Sequence, residues 1–162
     1  MMRGSTVPPK RTRIYVLVAL SLFLVTGSWY LTRQEDVGTI VVTFPNGTQI
    51  ETEVADTPEK IFFGLAFRDS LPHGGGMLYI YEKSDLHRVH TKGLRFPVDM
   101  IWADESRHVV HVVEHAPACA GDPCPTYGPP PEKARYIIQT AAGFVGAERI
   151  APGMELKFAL RM

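Results

Sequence analysis

The chain has 162 residues, with 17 basic and 17 acidic side chains and a formal net charge of zero. That balance leaves no electrostatic footprint for nucleic acid, which needs a clustered basic face. Its 14 glycines and 13 prolines favour turns and short strands over long helices.

Residues 1–13 carry Arg3, Lys10, Arg11 and Arg13 and no acid, and they read as a basic cytoplasmic tail. From Ile14 to Leu31 no residue is charged. As a helix this run would be roughly 27 Å long at about 1.5 Å per residue, close to the ~30 Å of a bilayer core. Trp29 and Tyr30 stand at its far end, where amphipathic rings suit the headgroup boundary. The run predicts a single-pass signal-anchor over residues 14–31. With the positive side inside, the rest of the chain is expected outside the cytoplasm at the cell membrane. A cleaved signal peptide is the weaker reading, because Gly27-Ser28-Trp29 is a poor cleavage site. Residues 32–38 read as a tether, and 39–162 as an extracytoplasmic β-rich domain.

Thr39–Phe44 and Gln49–Ala55, joined by Pro45-Asn46-Gly47-Thr48, predict a hairpin. Asp56-Thr57-Pro58-Glu59 is a helix start, with Asp56 or Thr57 as cap and Pro58 in the first turn. Ile61, Phe62, Leu65 and Ala66 form a stripe that predicts the buried face of a short helix near Pro58–Phe67. Gly64 within it costs about 1 kcal/mol relative to Ala, and a close backbone approach would explain it. Leu71–Gly76 reads as a turn, Met77–Tyr81 as a strand, Glu82–Leu86 as a loop, and His87–Thr91 as a strand before a bend. Val98–Ala103 is an apolar run with one acid, Asp99, inside it, and His108–Val113 is a strand. Ala116–Pro131 is a Pro-rich loop holding both cysteines, and Ala134–Gln139 is a strand. Gly143–Gly146 and Ile150–Gly153 are turns, and Met154–Leu160 a final strand. The expected fold is mainly β: one compact, barrel-like domain of short antiparallel strands with one short helix, behind a transmembrane helix.

Cys119 and Cys124 form a C-x4-C pair. Outside the cytoplasm the expected state is a disulfide, and Gly121 and Pro123 allow the turn it needs. A loop clip is favoured over a redox or metal role. His108, His111 and His115 invite a metal reading, but Val-Val-His-Val-Val argues for a strand, which leaves only His111 and His115 on one face. A zinc site needs four ligands in tight geometry, so no cofactor is expected. Asp99 lies in Phe96-Pro97-Val98-Asp99-Met100-Ile101-Trp102, a segment otherwise fit for a core. An acid there must be paired or hydrogen-bonded. A structural hub is the favoured reading, with Arg68, Arg95 and His90 as partners. The functional reading is an acid facing a ligand cleft. No G-x-S-x-G, H-E-x-x-H or phosphate-binding Gly loop occurs.

Three blocks carry a likeness: Phe63-Gly64-Leu65-Ala66-Phe67-Arg68-Asp69-Ser70-Leu71-Pro72, Gly75-Gly76-Met77-Leu78-Tyr79, and Lys92 through Trp102. Pro123-Cys124-Pro125, Tyr127, Ala134–Ile138, Ala142-Gly143 and Pro152-Gly153 continue it in order. The chain resembles domain of unknown function 192 (DUF192) over roughly residues 39–160. The resemblance implies a compact, mainly β domain with little helix, often exported, and no established activity. Ala66, His90, Thr91 and Gln139 depart from the pattern, which commonly has Met, Trp, Met and Glu there, while Arg68, Met77 and Asp99 keep it.

The function expected from these readings is a membrane-anchored, extracytoplasmic, non-enzymatic module for a small ligand or an envelope protein. Arg68, Met77, His90 and Asp99 are its ligand-cleft candidates. The alternative is a metal-handling or catalytic envelope domain using His90, Asp99 and the His111–Cys124 region.

Overall fold

A computed structural model describes residues 10–31 and 38–159. The chain divides into two units, residues 1–36 and 37–162. In the first, helix α1 spans Lys10–Leu31. Ser21 donates to the carbonyl of Val18 at 2.9 Å and Thr26 to that of Leu22 at 2.8 Å, so these hydroxyls are satisfied within the helix.

Among the described residues no helix is long and apolar enough to cross a membrane. The helix starts before the uncharged run, so Lys10, Arg11 and Arg13 occupy its first turn, and Ser21, Thr26, Gly27 and Ser28 dilute its second half. The expected signal-anchor over 14–31 is therefore corrected to a helix that is not a membrane span. The membrane partner, the single-pass topology and the placement outside the cytoplasm fall with it, since all three rested on that span. The expected tail up to residue 9 and the tether over 32–37 lie outside the described residues.

The second unit begins with the expected hairpin. Strands β1 (Thr39–Thr43) and β2 (Gln49–Ala55) pair antiparallel. The Asn46 side chain accepts from the Thr48 amide at 3.0 Å and Gly47 takes a φ of 88°. Helix α2 (Pro58–Phe63) follows, with Thr57 accepting from the Lys60 amide at 3.3 Å and Pro58 in the first turn. It then leads to β3 (Gly75–Asp85), which pairs parallel with β2 from Glu51↔Gly75 to Ala55↔Tyr79. Parallel neighbours need a crossover connection, and α2 lies in it. The remaining elements are β4 (Val89–His90), β5 (Val98–Ala103), β6 (Val109–Ala116), β7 (Thr126–Tyr127), β8 (Ala134–Ala141) and α3 (Phe144–Glu148).

The main sheet runs β1-β2-β3-β8-β5-β6, and β4-β7 form a separate pair. Strand alternation sends neighbouring residues to opposite faces. Leu78, Ile101 and Ile138 join Phe44, Ile50, Leu156 and Phe158 in one core. Met77, Tyr79, Met100, Trp102 and Ile137 join Leu65 and Leu94 in the other. Two covered faces explain why β5 is apolar at every position but Asp99.

Several expectations change. The fold is mixed α+β rather than a barrel of antiparallel strands. The sheet keeps two edges, β1 and β6, and the C-terminal segment touches both by isolated bridges, Thr43↔Lys157 and His108↔Glu155. One bridged pair per edge does not continue a ladder, so no sheet closes, and the expected last strand is reduced to these contacts. The expected turn at Gly143–Gly146 is α3, giving a second short helix after α2. The expected loop Glu82–Leu86 is mostly β3, whose Asp85 still pairs with Ala134. Helix α2 buries none of its residues and Phe62 faces solvent; Leu65, just past its end, is the buried member of the predicted stripe.

Asp99 is fully buried in β5. On β6, Val98 pairs with Ala116 and Met100 with Val113, so Asp99 faces the two residues of a bulge, Glu114 and His115. A bulge leaves backbone N–H groups unpaired. Asp99 Oδ1 accepts the His115 amide at 2.7 Å, and Oδ2 accepts the Val145 amide at 2.8 Å in the first turn of α3. Its partners are backbone amides, not Arg68, Arg95 or His90. An amide at this position offers one acceptor oxygen where two donors converge. Asp99→Asn should therefore lower the urea unfolding midpoint by an amount equivalent to about 1–3 kcal/mol, and Asp99→Ala by more. An unchanged midpoint in both variants would refute this role.

Candidate functional site

Where α2 ends, the chain crosses the second core. Gly64 closes the helix, its amide donating to the Lys60 carbonyl at 2.8 Å with a φ of 47°. A Cβ at this position would collide with the Tyr79 hydroxyl. The left-handed backbone and this close approach both require glycine, which supplies the reason the sequence lacked for a glycine here.

Tyr79 on β3 pairs in register with Ile137 of β8, and Gln139 pairs with Met77. Tyr79 and Gln139 are thus diagonal neighbours on one face, within reach of long side chains. The Tyr79 hydroxyl donates to Gln139 Oε1 at 2.7 Å, and both residues are buried. Burial pushes the Tyr79 hydroxyl up, and the Leu65 backbone amide beside it pulls back only in part. Burial also raises Tyr81, whose ring stacks on His87 at 3.7 Å.

Above this pair lies a cavity of about 210 Å³. Ile61, Phe63, Leu65 and Leu94 give it apolar walls; Arg88, His90 and Lys92 bring positive or protonatable groups; no acid lines it. A strap holds this part of the lining. β4 pairs with β7 through Val89↔Tyr127 and His90↔Thr126. The Gly93 amide donates to the Cys119 carbonyl at 3.0 Å, and the Cys119 amide to the Thr91 carbonyl at 3.3 Å. Cys119 and Cys124 form a disulfide with a Cα–Cα distance of 5.8 Å, and Lys92 pairs with Asp122 inside its loop at 2.7 Å.

Of the four ligand-cleft candidates, His90 lines this cavity. Arg68 is an exposed partner of Glu53, and Arg95 pairs with Asp69. Met77 is buried in the core, and Asp99 is the buried acceptor described above. The four positions that depart from the family pattern gather here: His90 and Gln139 line the cavity, Thr91 is buried in the adjoining bend, and Ala66 lies against Gly93. Tyr79, Gln139 and Arg88 were not singled out as a site from sequence. The available signal was Gln139 as a departure from the family pattern; its neighbour Tyr79 is set by strand register.

The metal-handling alternative is corrected. Among the described residues no group of three His, Cys, Asp or Glu could hold a metal ion. His111 packs against Trp102 with ring centroids 5.2 Å apart, His108 lies 3.9 Å from Asp104, and the His115 ring lies near Gly143. The histidines go to different neighbours because strand alternation and the bulge separate them, and both cysteines are consumed by their disulfide.

A neutral Tyr79 contributes stability that is complete below pH ~10, where the unfolded tyrosine begins to ionise. It is lost as pH rises from there through the raised folded value. The urea midpoint should hold up to about pH 10 and fall as pH rises above it. Tyr79→Phe should flatten that fall, Tyr81 leaving some of it, and should lower stability at neutral pH by about 0.5–1.5 kcal/mol through the lost hydrogen bond. Identical pH slopes in the two proteins would refute the assignment.

No curated protein matches the chain. Its fold is similar to a protein of unknown function from Novosphingobium aromaticivorans DSM 12444, with TM-score 0.63 and 21% identity over 74% of this chain and 83% of that one. It is also similar to a proposed transcription regulator from Sinorhizobium meliloti 1021, with TM-score 0.66 and 18% identity over 77% of this chain and 97% of that one. At these identities the likeness is one of fold. The family model for DUF192, described as "Uncharacterized ACR", matches residues 41–158, nearly all of the sheet-bearing unit, and the chain belongs to that family.

Proposed function

We propose that this domain binds a small molecule with an apolar body in the cleft beneath the end of α2. The observation that carries the reading is the buried Gln139. Its oxygen is engaged by Tyr79, and among the described residues nothing accepts from its amide nitrogen, at the floor of a cavity with apolar walls. Ligand sites combine such walls with a few placed polar groups. That nitrogen is not among the sealed, unpartnered polar atoms of the described residues, which are Ser84 Oγ, Thr91 Oγ1 and Arg135 Nε, so it is open to the cavity and free to donate there.

The size bounds the ligand. A cavity of roughly 150 Å³ accommodates benzene, so about 210 Å³ suits one ring with a short substituent. The chemistry favours holding over turnover: Gln139 does not titrate, and burial keeps Tyr79 protonated at neutral pH. Neither is poised to move a proton.

The test is an NMR titration of the full chain with three single-ring probes: phenylacetate, phenylacetamide and benzylamine. At least one probe should shift the amides of Gly64 and Leu65 and the side-chain amide of Gln139. Ile61→Trp, which adds volume at the wall, should weaken that probe about tenfold, or ~1.4 kcal/mol. If no probe moves these resonances, or Ile61→Trp leaves binding intact, the reading is wrong.

A further inference from the structure

We infer that the ligand is an organic carboxylate, selected by Arg88 and read from below by Gln139. This rests on the binding reading above and adds the sign of the ligand's charge.

The amide orientation of Gln139 follows from its network. The Tyr79 hydroxyl donates to the Gln139 amide oxygen at 2.7 Å. The Gln139 nitrogen, with its two N–H groups, is left for the cavity. The floor is a donor surface and suits an acceptor atom.

The charged lining points the same way. Arg88, His90 and Lys92 are its three basic residues, and it includes no Asp or Glu. Lys92 is partly neutralised by Asp122. His90 accepts the Lys92 amide through Nδ1 at 3.3 Å, which leaves Nε2 as its outward nitrogen. Arg88 is different: among the described residues its side chain has no ion pair and no hydrogen bond, as is also true of the exposed Arg149, whereas Arg68, Arg95 and Arg135 each hold a carboxylate. A guanidinium presents a planar fork that matches a carboxylate. An uncommitted one beside an acid-free apolar cavity is complementary to a ring or short chain that ends in a carboxylate. A cationic ligand would meet like charge from the lining and donors from the floor.

The same three probes decide the point, because phenylacetate and phenylacetamide are nearly the same shape and differ in charge. In the full chain at low salt, phenylacetate should bind about tenfold tighter than phenylacetamide, and benzylamine weakest. Arg88→Gln, at an exposed position, should reduce the preference to about twofold while leaving phenylacetamide unchanged. Raising the salt from about 0.05 to 0.5 M should erode the preference in the parent protein, through screening, and not in Arg88→Gln. Equal binding of phenylacetate and phenylacetamide at the cleft would overturn the carboxylate inference and leave the binding site standing. So would a preference that survives in Arg88→Gln. Binding by none of the three overturns both.

Discussion

A single buried carboxylate ties a bulge in the sheet to a helix that no ladder connects to it. Asp99 sits in β5, opposite a bulge of β6 and at the first turn of α3, and accepts one backbone amide from each. Burying a carboxylate is costly, and charge-assisted bonds to amides that would otherwise be orphaned offset that cost at both ends. The bond reaches further through α3. Glu148 at its end accepts from Asn46 at 2.8 Å and from Thr48 at 2.5 Å, which ties the β1–β2 turn to the same corner. One acid in the middle of the sheet thus seats a helix that in turn holds a hairpin from the opposite edge.

The other half of the domain is organised by the parallel pairing of β2 and β3. Antiparallel strands can be joined by a tight turn, but parallel ones require the chain to travel back along the sheet. The returning segment carries α2 and brings Gly64 over Tyr79. The cleft is a product of this crossover: its floor comes from β3 and β8, its apolar wall from the end of α2, and its basic groups from β4 and the bend after it. A purely antiparallel meander would have had no segment to lay across the Tyr79–Gln139 pair.

The short β4–β7 pair and the disulfide act on the same region. A loop closed over so few residues adds little to global stability, because loop-closure entropy grows with loop length. Its local effect is larger. The Cys119 amide and carbonyl bond to both sides of the bend that presents Lys92, and Asp122 within the loop engages the Lys92 ammonium. Side chains in the cleft lining are thereby held by backbone contacts that local sequence alone would not provide.

Much of the local structure was legible in the residues. The Pro-Asn-Gly-Thr turn, a helix start capped by Asp56 or Thr57 with Pro58 behind it, the apolar run from Val98 to Ala103 and the cysteine pair depend on short-range chemistry, and the family blocks tied them to DUF192. The buried state of Asp99 was legible too, because a charge in an apolar run must find partners. Its partners were not, since they are backbone amides contributed by a bulge and a helix start, which carry no side-chain signature. The anchor failed as a reading because, among the described residues, no helix is long and apolar enough to cross a membrane. The barrel failed because edge closure depends on how far a ladder continues, and two isolated bridges do not continue it. The cleft lay beyond the sequence for a related reason: Gly64, Tyr79, Arg88 and Gln139 are far apart in the chain and meet only through strand register and a parallel crossover. Residue chemistry determined which groups could bond; the tertiary path of the chain decided which of them met.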